Sequence, residues 1–539
     1  MKESGVEEPS VTGDMHASVA KSTALMSAAT LVSRLTGFVR TWAMAFALGN
    51  SVVTSAYQVA NNLPYVLYDV VAGGMLGAAF IPIYLLQKEQ HGEKASNEFA
   101  VNTLNITMVV LGVLSLASSL FAPQLIATQT FTMNEHDEVV ALSVELFRIF
   151  AFQIVFFGIS GIVTGVLNAN RVYFLPSIAP ALGNVCVIIA FFLYIPLSAH
   201  DQKLAIVALG LGTTFGVALQ ALVQVPLLVK MGFRYRLHID LRDPALIEAL
   251  KIALPTMLYI AGTLVAFSCR NAFSLQVSDN GPATLLYAWT WYMLPYGIVS
   301  VSLTRALFTE IGEASAHDDN QSVCELVRSG IAGNLFLIVP LSCVMLALST
   351  PLMELFQAGA FHAGDVSYVS NVLSLWLLSL PFYSVLMFLY NVFAAIRRFM
   401  RFAVVSTAMV VVQCLLYFVL CRQESAGLGG VPLADLVYNA LCCVILMAML
   451  RPMIGPYGLK SILWSACRVT AASIAAAAVV SFISSLIPVA PGMLGGFIRI
   501  VVAGGIGLVV AFGLCALFRV PEMNIARTLL EKLKIKRGE

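Results

Sequence analysis

Ser22-Thr23-Ala24-Leu25-Met26-Ser27-Ala28-Ala29-Thr30-Leu31-Val32-Ser33-Arg34-Leu35-Thr36-Gly37-Phe38-Val39-Arg40-Thr41-Trp42-Ala43-Met44-Ala45-Phe46-Ala47-Leu48 is a run of apolar and small residues long enough to cross a hydrocarbon core about 30 Å thick, yet it holds two arginines. The polar residues before it carry Glu3, Glu7, Glu8 and Asp14 rather than the basic-then-apolar order of a cleavable signal, so the run is expected to stay as the first membrane helix. Similar runs follow almost end to end. Of the 539 residues, 59% are hydrophobic and only 11% charged, with mean hydropathy +0.87, which excludes a soluble globular chain and leaves no room for a large soluble domain. Spans are expected at 22–48, 53–85, 98–122, 139–168, 176–198, 204–229, 246–275, 282–308, 324–349, 366–395, 402–421, 427–450, 463–487 and 496–518. The fold class is therefore an all-α integral membrane protein of about fourteen transmembrane helices.

An even number of spans puts both termini on one side, and the basic residues choose that side as the cytoplasm. Lys88, Lys94, Arg171, Lys230, Arg234, Arg236, Arg397, Arg398 and Arg401 fall in connections that would face inward, whereas the outward connections hold only Lys203, Arg422 and Arg499. The net charge of +2 does not point to nucleic acid. The short basic segment after the last span, 521–539, reads either as an amphipathic helix on an anionic leaflet or as a solvated tail.

Leu63-Pro64-Tyr65 in the second span recurs as Leu294-Pro295-Tyr296 in the eighth, and Ala169-Asn170-Arg171 after the fourth recurs as Ala395-Ile396-Arg397 after the tenth. Arg40 and Arg270 lie at a similar offset. A duplicated six-helix unit follows, its copies related about an axis along the membrane normal, with a substrate path between them. The expected divisions are a polar cytoplasmic N-terminus at 1–21, a first lobe at 22–230, a second at 231–452, a helix pair at 453–520 and the tail at 521–539. Spans 13 and 14, rich in Ala, Gly and Val, suit either close packing or lipid binding.

The ten cysteines fall mostly inside apolar runs without zinc or disulfide spacing, and the seven histidines lie in polar connections. No catalytic or metal-binding set emerges, so a transporter is expected rather than an enzyme. The charges inside spans carry the information instead. An arginine at a helix centre costs about 2.5–3.5 kcal/mol on insertion scales, which makes Arg34, near the bilayer middle, a functional candidate. Arg40 and Arg270 lie nearer the outer interface, where each either faces a cavity or snorkels outward. Gly37 permits a bend between Arg34 and Arg40. Asp69, beside Tyr68, is expected to be protonated or to sit against an arginine and hold one state of a transporter. Pro64 and Pro295 break the backbone ladders of their helices, acting as hinges or as static kinks. Arginines in a dry cleft suit a phosphate or pyrophosphate, because the planar fork binds such oxygens bidentately.

Ser33-Arg34-Leu35-Thr36-Gly37-Phe38-Val39-Arg40 resembles the first-helix signature of the MurJ/MviN lipid II flippases of the MOP transporter superfamily. Further similarity lies in Leu63-Pro64, Ala78-Ala79-Phe80-Ile81-Pro82, Gly165-Val166-Leu167-Asn168 with Arg171, Pro176 through Pro180 to Asn184, and Leu355-Phe356-Gln357-Ala358-Gly359-Ala360-Phe361. The resemblance implies two six-helix lobes around a cationic central cavity, a last helix pair lining a lipid-tail groove, and lipid II or a related polyprenyl-pyrophosphate glycolipid as the substrate. It also implies a bacterial cytoplasmic membrane, alternating access, and no cofactor beyond a coupling ion or the membrane potential. Arg34 and Arg40 match the family's first-helix cavity arginines. Thr41, Tyr68, Thr290 and Ser55 stand where family members carry charges, and Arg270 is expected to compensate. The substrate-contacting set is thus Arg34, Arg40, Arg270, Tyr68, Thr290 and Asn62, and the gating set Gly37, Asp69, Pro64 and Pro295. The alternatives are a flippase of another polyprenyl-linked oligosaccharide, a MATE-like cation antiporter, for which only Asp69 and Asp435 supply carboxylates, and a scaffold without transport.

Overall fold

The computed structural model describes residues 11–73 and 79–523, and among them the secondary structure is helical throughout. The first ten residues, Gly74, Gly77 and Ala78, and the basic tail from 524 onward lie outside the described residues.

Among the described residues, the expected spans fall on helix. Ten helical stretches are long and apolar enough to cross a membrane on their own, and Glu138–Phe150 with Gln153–Ala169, bent by 43°, supplies an eleventh. The remaining expected spans lie on Val11–Leu48, on Val52–Tyr68 continued by Asp69–Gly73, and on Gly281–Pro295 continued by Tyr296–Ser300 and Val301–Ala316. Their sequences explain why length and hydropathy alone pass them over. The first is diluted by Arg34 and Arg40, and the other two are interrupted where a proline precedes a wide turn of π-helix. In the second of these, the Val301 N–H reaches back five residues to the Tyr296 carbonyl just past Pro295, which has no N–H to give. Both Leu-Pro-Tyr copies therefore carry the same local irregularity, at Asp69–Gly73 and at Tyr296–Ser300.

Backbone conformation exposes the duplication more sharply than residue identity does. Positive φ angles occur at Gly92 (84°) and Asp318 (55°), at Arg171 (62°) and Arg397 (55°), and at Gly232 (87°) and Gly458 (74°), each pair 226 residues apart. At the second pair the helix-ending hydrogen bonds also match. Val172 N–H donates to Leu167 O (2.9 Å) and Arg398 N–H to Phe393 O (2.8 Å), the six-to-one closure of a left-handed helix stop. A non-glycine residue in that conformation costs about 1–2 kcal/mol, yet it places arginine side chains at the expected cytoplasmic exits of the two repeats. Lys88 Nζ donates to Asn170 Oδ1 at 2.8 Å and pairs with Glu93 at 3.3 Å, fastening the first of these exits.

The chain packs as two compact units, residues 1–43, 64–121 and 146–253, and residues 44–63, 122–145 and 254–539. The chain from 44 to 63 packs with the second. In the first, helices Phe174–Ser198 and Gln202–Leu222 approach backbone to backbone, a Cβ on Gly183 falling 2.9 Å from Gly216 O. In the second, Val327, Phe388, Phe393, Phe402 and Leu446 form a dry core. Large apolar side chains such as Leu120, Phe215, Phe482 and Val509 point outward, the surface a bilayer solvates and water does not. This is a multi-pass membrane protein.

One motif of the second unit is tied down by its backbone. Gly359 has φ of +60°, a Cβ there would lie 2.3 Å from Phe46 O, and the Ala360 N–H donates to that same carbonyl at 2.9 Å. Gly359→Ala is expected to cost about 2 kcal/mol or more, seen as a lower melting temperature in detergent, whereas Gly364→Ala, whose added methyl meets open space, should not destabilise. Equal melting temperatures would contradict this reading of the loop.

Candidate functional site

In the first unit, the Val11–Leu48 helix runs through Gly37 without a break. Arg34 and Arg40 are both exposed, and among the described residues neither enters an ion pair. The helix is held by a residue from another element. Asn184, 9% exposed, donates through Nδ2 to Thr36 Oγ1 (3.2 Å) and to Ser33 O (3.4 Å), and a Cβ on Gly37 would come within 3.6 Å of the same nitrogen. An amide reaching the carbonyl of the residue before Arg34 fixes the rotation of the helix at the point where its charge is carried. The family motif contained Asn184, but nothing in the sequence linked it to the first helix across some 150 positions.

Pro64 is buried in the second helix, and the turn that opens at Asp69 closes at Gly73. The Asp69 carboxylate lies over Gly73 so closely that a Cβ there would fall 1.9 Å from its Oδ1. Tyr65, Tyr68 and Phe157 form an aromatic cluster beside it, with ring centroids 5.5 to 6.2 Å apart. Tyr68, standing where a family arginine is expected, thus packs its ring on Phe157. Among the described residues Asp69 makes no ion pair with Arg34 or Arg40.

In the second unit, the other replaced positions are occupied by local hydrogen bonding. Ser55 Oγ accepts the Ala283 N–H at 3.3 Å, satisfying a donor in the first turn of the Gly281–Pro295 helix, and Tyr287 OH donates to Gly49 O at 2.8 Å. Thr290 Oγ1 donates to Leu286 O at 3.0 Å, one turn back on its own helix. Asn62 is half-buried, and Pro295 is buried at the start of the π-turn.

Arg270 does not snorkel. Its side chain, 18% exposed, turns inward to Asp435, 6% exposed, at 3.9 Å. Its guanidinium lies 5.1 Å from the Trp289 ring centroid, 5.8 Å from that of Trp376 and 5.9 Å from that of Phe267. Asp435 accepts three hydrogen bonds: Trp376 Nε1 donates to Oδ2 at 2.8 Å, Gln413 Nε2 to Oδ1 at 2.7 Å, and the Tyr417 hydroxyl also to Oδ1. Helices Pro244–Val277, Ala363–Ala395, Phe399–Leu420 and Gly430–Ile454 each contribute a member. Sequence reading picked out Arg270 and Asp435 separately but not their pairing, nor Trp376, Gln413 and Tyr417. Among the described residues no three His, Cys, Asp or Glu side chains gather as a metal cluster.

The candidate residues thus divide. Arg34, Gly37, Arg40, Pro64, Tyr68 and Asp69 belong to the first unit, and Asn62, Arg270, Thr290 and Pro295 to the second. A family model described as "Lipid II flippase MurJ" matches residues 44–502, so the first-helix arginines lie upstream of the match. A probable lipid II flippase MurJ of Rhizobium meliloti is 28% identical over 443 residues, covering 80% of this chain and 81% of that one. A protein of the same description from Bdellovibrio bacteriovorus is 29% identical over 448 residues, covering 80% and 82%. A solved structure of a lipid II flippase MurJ in an inward closed conformation superposes with TM-score 0.73 at 23% identity, covering 93% of this chain and 99% of that chain. An inward-facing multidrug resistance MATE family transporter of the MOP superfamily gives TM-score 0.66 at 15% identity, covering 78% and 94%.

Hydroxyls in this region should differ in weight. Tyr417→Phe removes a donor from a buried carboxylate and is expected to lower stability by about 1–3 kcal/mol, while Thr290→Val, losing only an intrahelical bond, should cost about 1 kcal/mol or less. Melting curves of the two variants in detergent check the order, and a larger loss at Thr290 would reverse it.

Proposed function

This chain belongs to the MurJ family, and we propose that it carries lipid II, the polyprenyl-pyrophosphate-linked precursor of the cell wall, from the inner to the outer leaflet of a bacterial cytoplasmic membrane. The mechanism is alternating access without covalent chemistry, with both termini cytoplasmic and the membrane potential or an ion gradient as the energy source. The observation that carries the head-group assignment is the pair of arginines on the first helix, with no acidic partner among the described residues. A guanidinium in an apolar span is stabilised by an anion or by water, and a pyrophosphate offers oxygens matched to its fork. Asn184 positions that helix for the encounter. Asp69, over its glycine and next to the π-turn, serves as the gating carboxylate, accepting an arginine or a proton as the states exchange.

A MATE-like cation antiport is disfavoured by a specific contact, since Asp435 already holds a guanidinium. A flippase of another polyprenyl-linked oligosaccharide shares the anionic anchor and differs in the sugar.

Complementation of a MurJ-depleted bacterium distinguishes these readings. Wild type should restore growth and externally exposed lipid II, and Arg34→Ala or Arg40→Ala, expressed to the same level in the membrane, should lower rescue at least tenfold. Full rescue by the double variant would refute the arginine-anchored mechanism. Failure of well-expressed wild type would transfer the reading to a different lipid-linked saccharide.

A further inference from the structure

A carboxylate buried among apolar helices has to be neutralised, by a proton, by an exchangeable cation from solution or by a cation of the protein itself. Asp435 is buried and receives three neutral donors, from Trp376, Gln413 and Tyr417. Three donors orient a carboxylate but do not cancel its charge. The nearest cation is Arg270, 3.9 Å away, and its geometry is that of a resident rather than a visitor. Trp289, Trp376 and Phe267 surround the guanidinium, and Trp376 binds both partners, offering its ring to Arg270 and its N–H to Asp435.

We propose that Arg270 is the built-in counter-cation of Asp435, occupying with a tethered charge the place where an alkali cation would otherwise bind, so that this buried carboxylate exchanges no metal ion with solution. Arg270 is then a positioning residue. It pins Pro244–Val277 to Phe399–Leu420 and Gly430–Ile454 through a charge that remains whatever the salt composition. In Sequence analysis Arg270 was expected to meet the substrate's anion, but here its charge is used inside the second unit. The consequence for energy coupling rests on the transport reading given above, whereas the charge assignment does not. If the chain transports, it draws no driving force from sodium or potassium at Asp435.

The test uses the full chain in detergent, with melting temperature measured in sodium, potassium or choline chloride at equal ionic strength. Wild type should show no sodium- or potassium-specific rise over choline. Arg270→Met should melt lower and regain part of the loss in sodium or potassium, because the exposed charge of Asp435 and the Gln413 and Tyr417 oxygens then accept a free cation. Arg270→Met with Asp435→Asn should melt above Arg270→Met alone and respond to neither ion, since removing both charges leaves nothing to compensate. A sodium- or potassium-specific rise in wild type would overturn the proposal, and so would a double variant whose loss is the sum of the single losses. Should Arg270→Met fail to fold, Arg270→Lys replaces it, with the wild-type ion series deciding alone. The sodium- or potassium-specific recovery of Arg270→Met is the readout that a merely structural pair would not show, and flipping by wild type should proceed at an unchanged rate in sodium-free buffer. Loss of lipid II flipping in every buffer would count against the substrate and leave the melting series intact.

Discussion

Charge in a low-dielectric medium must be compensated, and the structure meets that requirement in two different ways. In the second unit, the buried Asp435 and Arg270 neutralise each other, with three further side chains completing the carboxylate's hydrogen bonds. In the first unit, Arg34 and Arg40 have no acidic partner among the described residues. A helix carrying unpaired guanidinium groups is tolerable in a membrane protein where an anion or water meets them. The same residue type therefore has opposite meanings at 34 and at 270, and only the partner separates them.

Local backbone geometry gives this charge pattern its frame. The positive-φ breaks repeated at Gly92 and Asp318, Arg171 and Arg397, and Gly232 and Gly458 interrupt the helices of each repeat at corresponding points. The π-turns behind Pro64 and Pro295 add the same irregularity to both copies of one helix. Such turns interrupt the regular α-helical ladder with wider, five-residue closures, and one of them opens at Asp69. Irregular backbone beside a carboxylate within a span is where a change of protonation or partner can be converted into movement.

The membrane class and the approximate number of spans were legible because lipid imposes a strong signal of its own: long apolar runs separated by basic connections. The repeat was legible at Leu-Pro-Tyr and at the two arginine exits, although Gly92 and Asp318 share a positive φ that their side chains do not announce. The candidate arginines were visible as charges out of place. Their partners were not, because Asp435 lies 165 positions after Arg270 in the chain and helical periodicity does not say which faces of distant helices meet. Asn184 stayed hidden for the same reason, as an ordinary amide in a proline-containing helix. Ser55 read as a missing acid, whereas the fold uses it to hold the start of the Gly281–Pro295 helix.

The division between a substrate-facing charge on the first helix and an internally balanced one at Arg270 is tested most directly by binding. Purified wild type, the Arg34→Ala/Arg40→Ala double variant and Arg270→Met would be titrated with a polyprenyl-pyrophosphate lipid and followed by native mass spectrometry. Binding should fall at least tenfold in the first-helix variant and persist in Arg270→Met. Loss of binding in Arg270→Met, with the first-helix variant binding like wild type, would contradict the account.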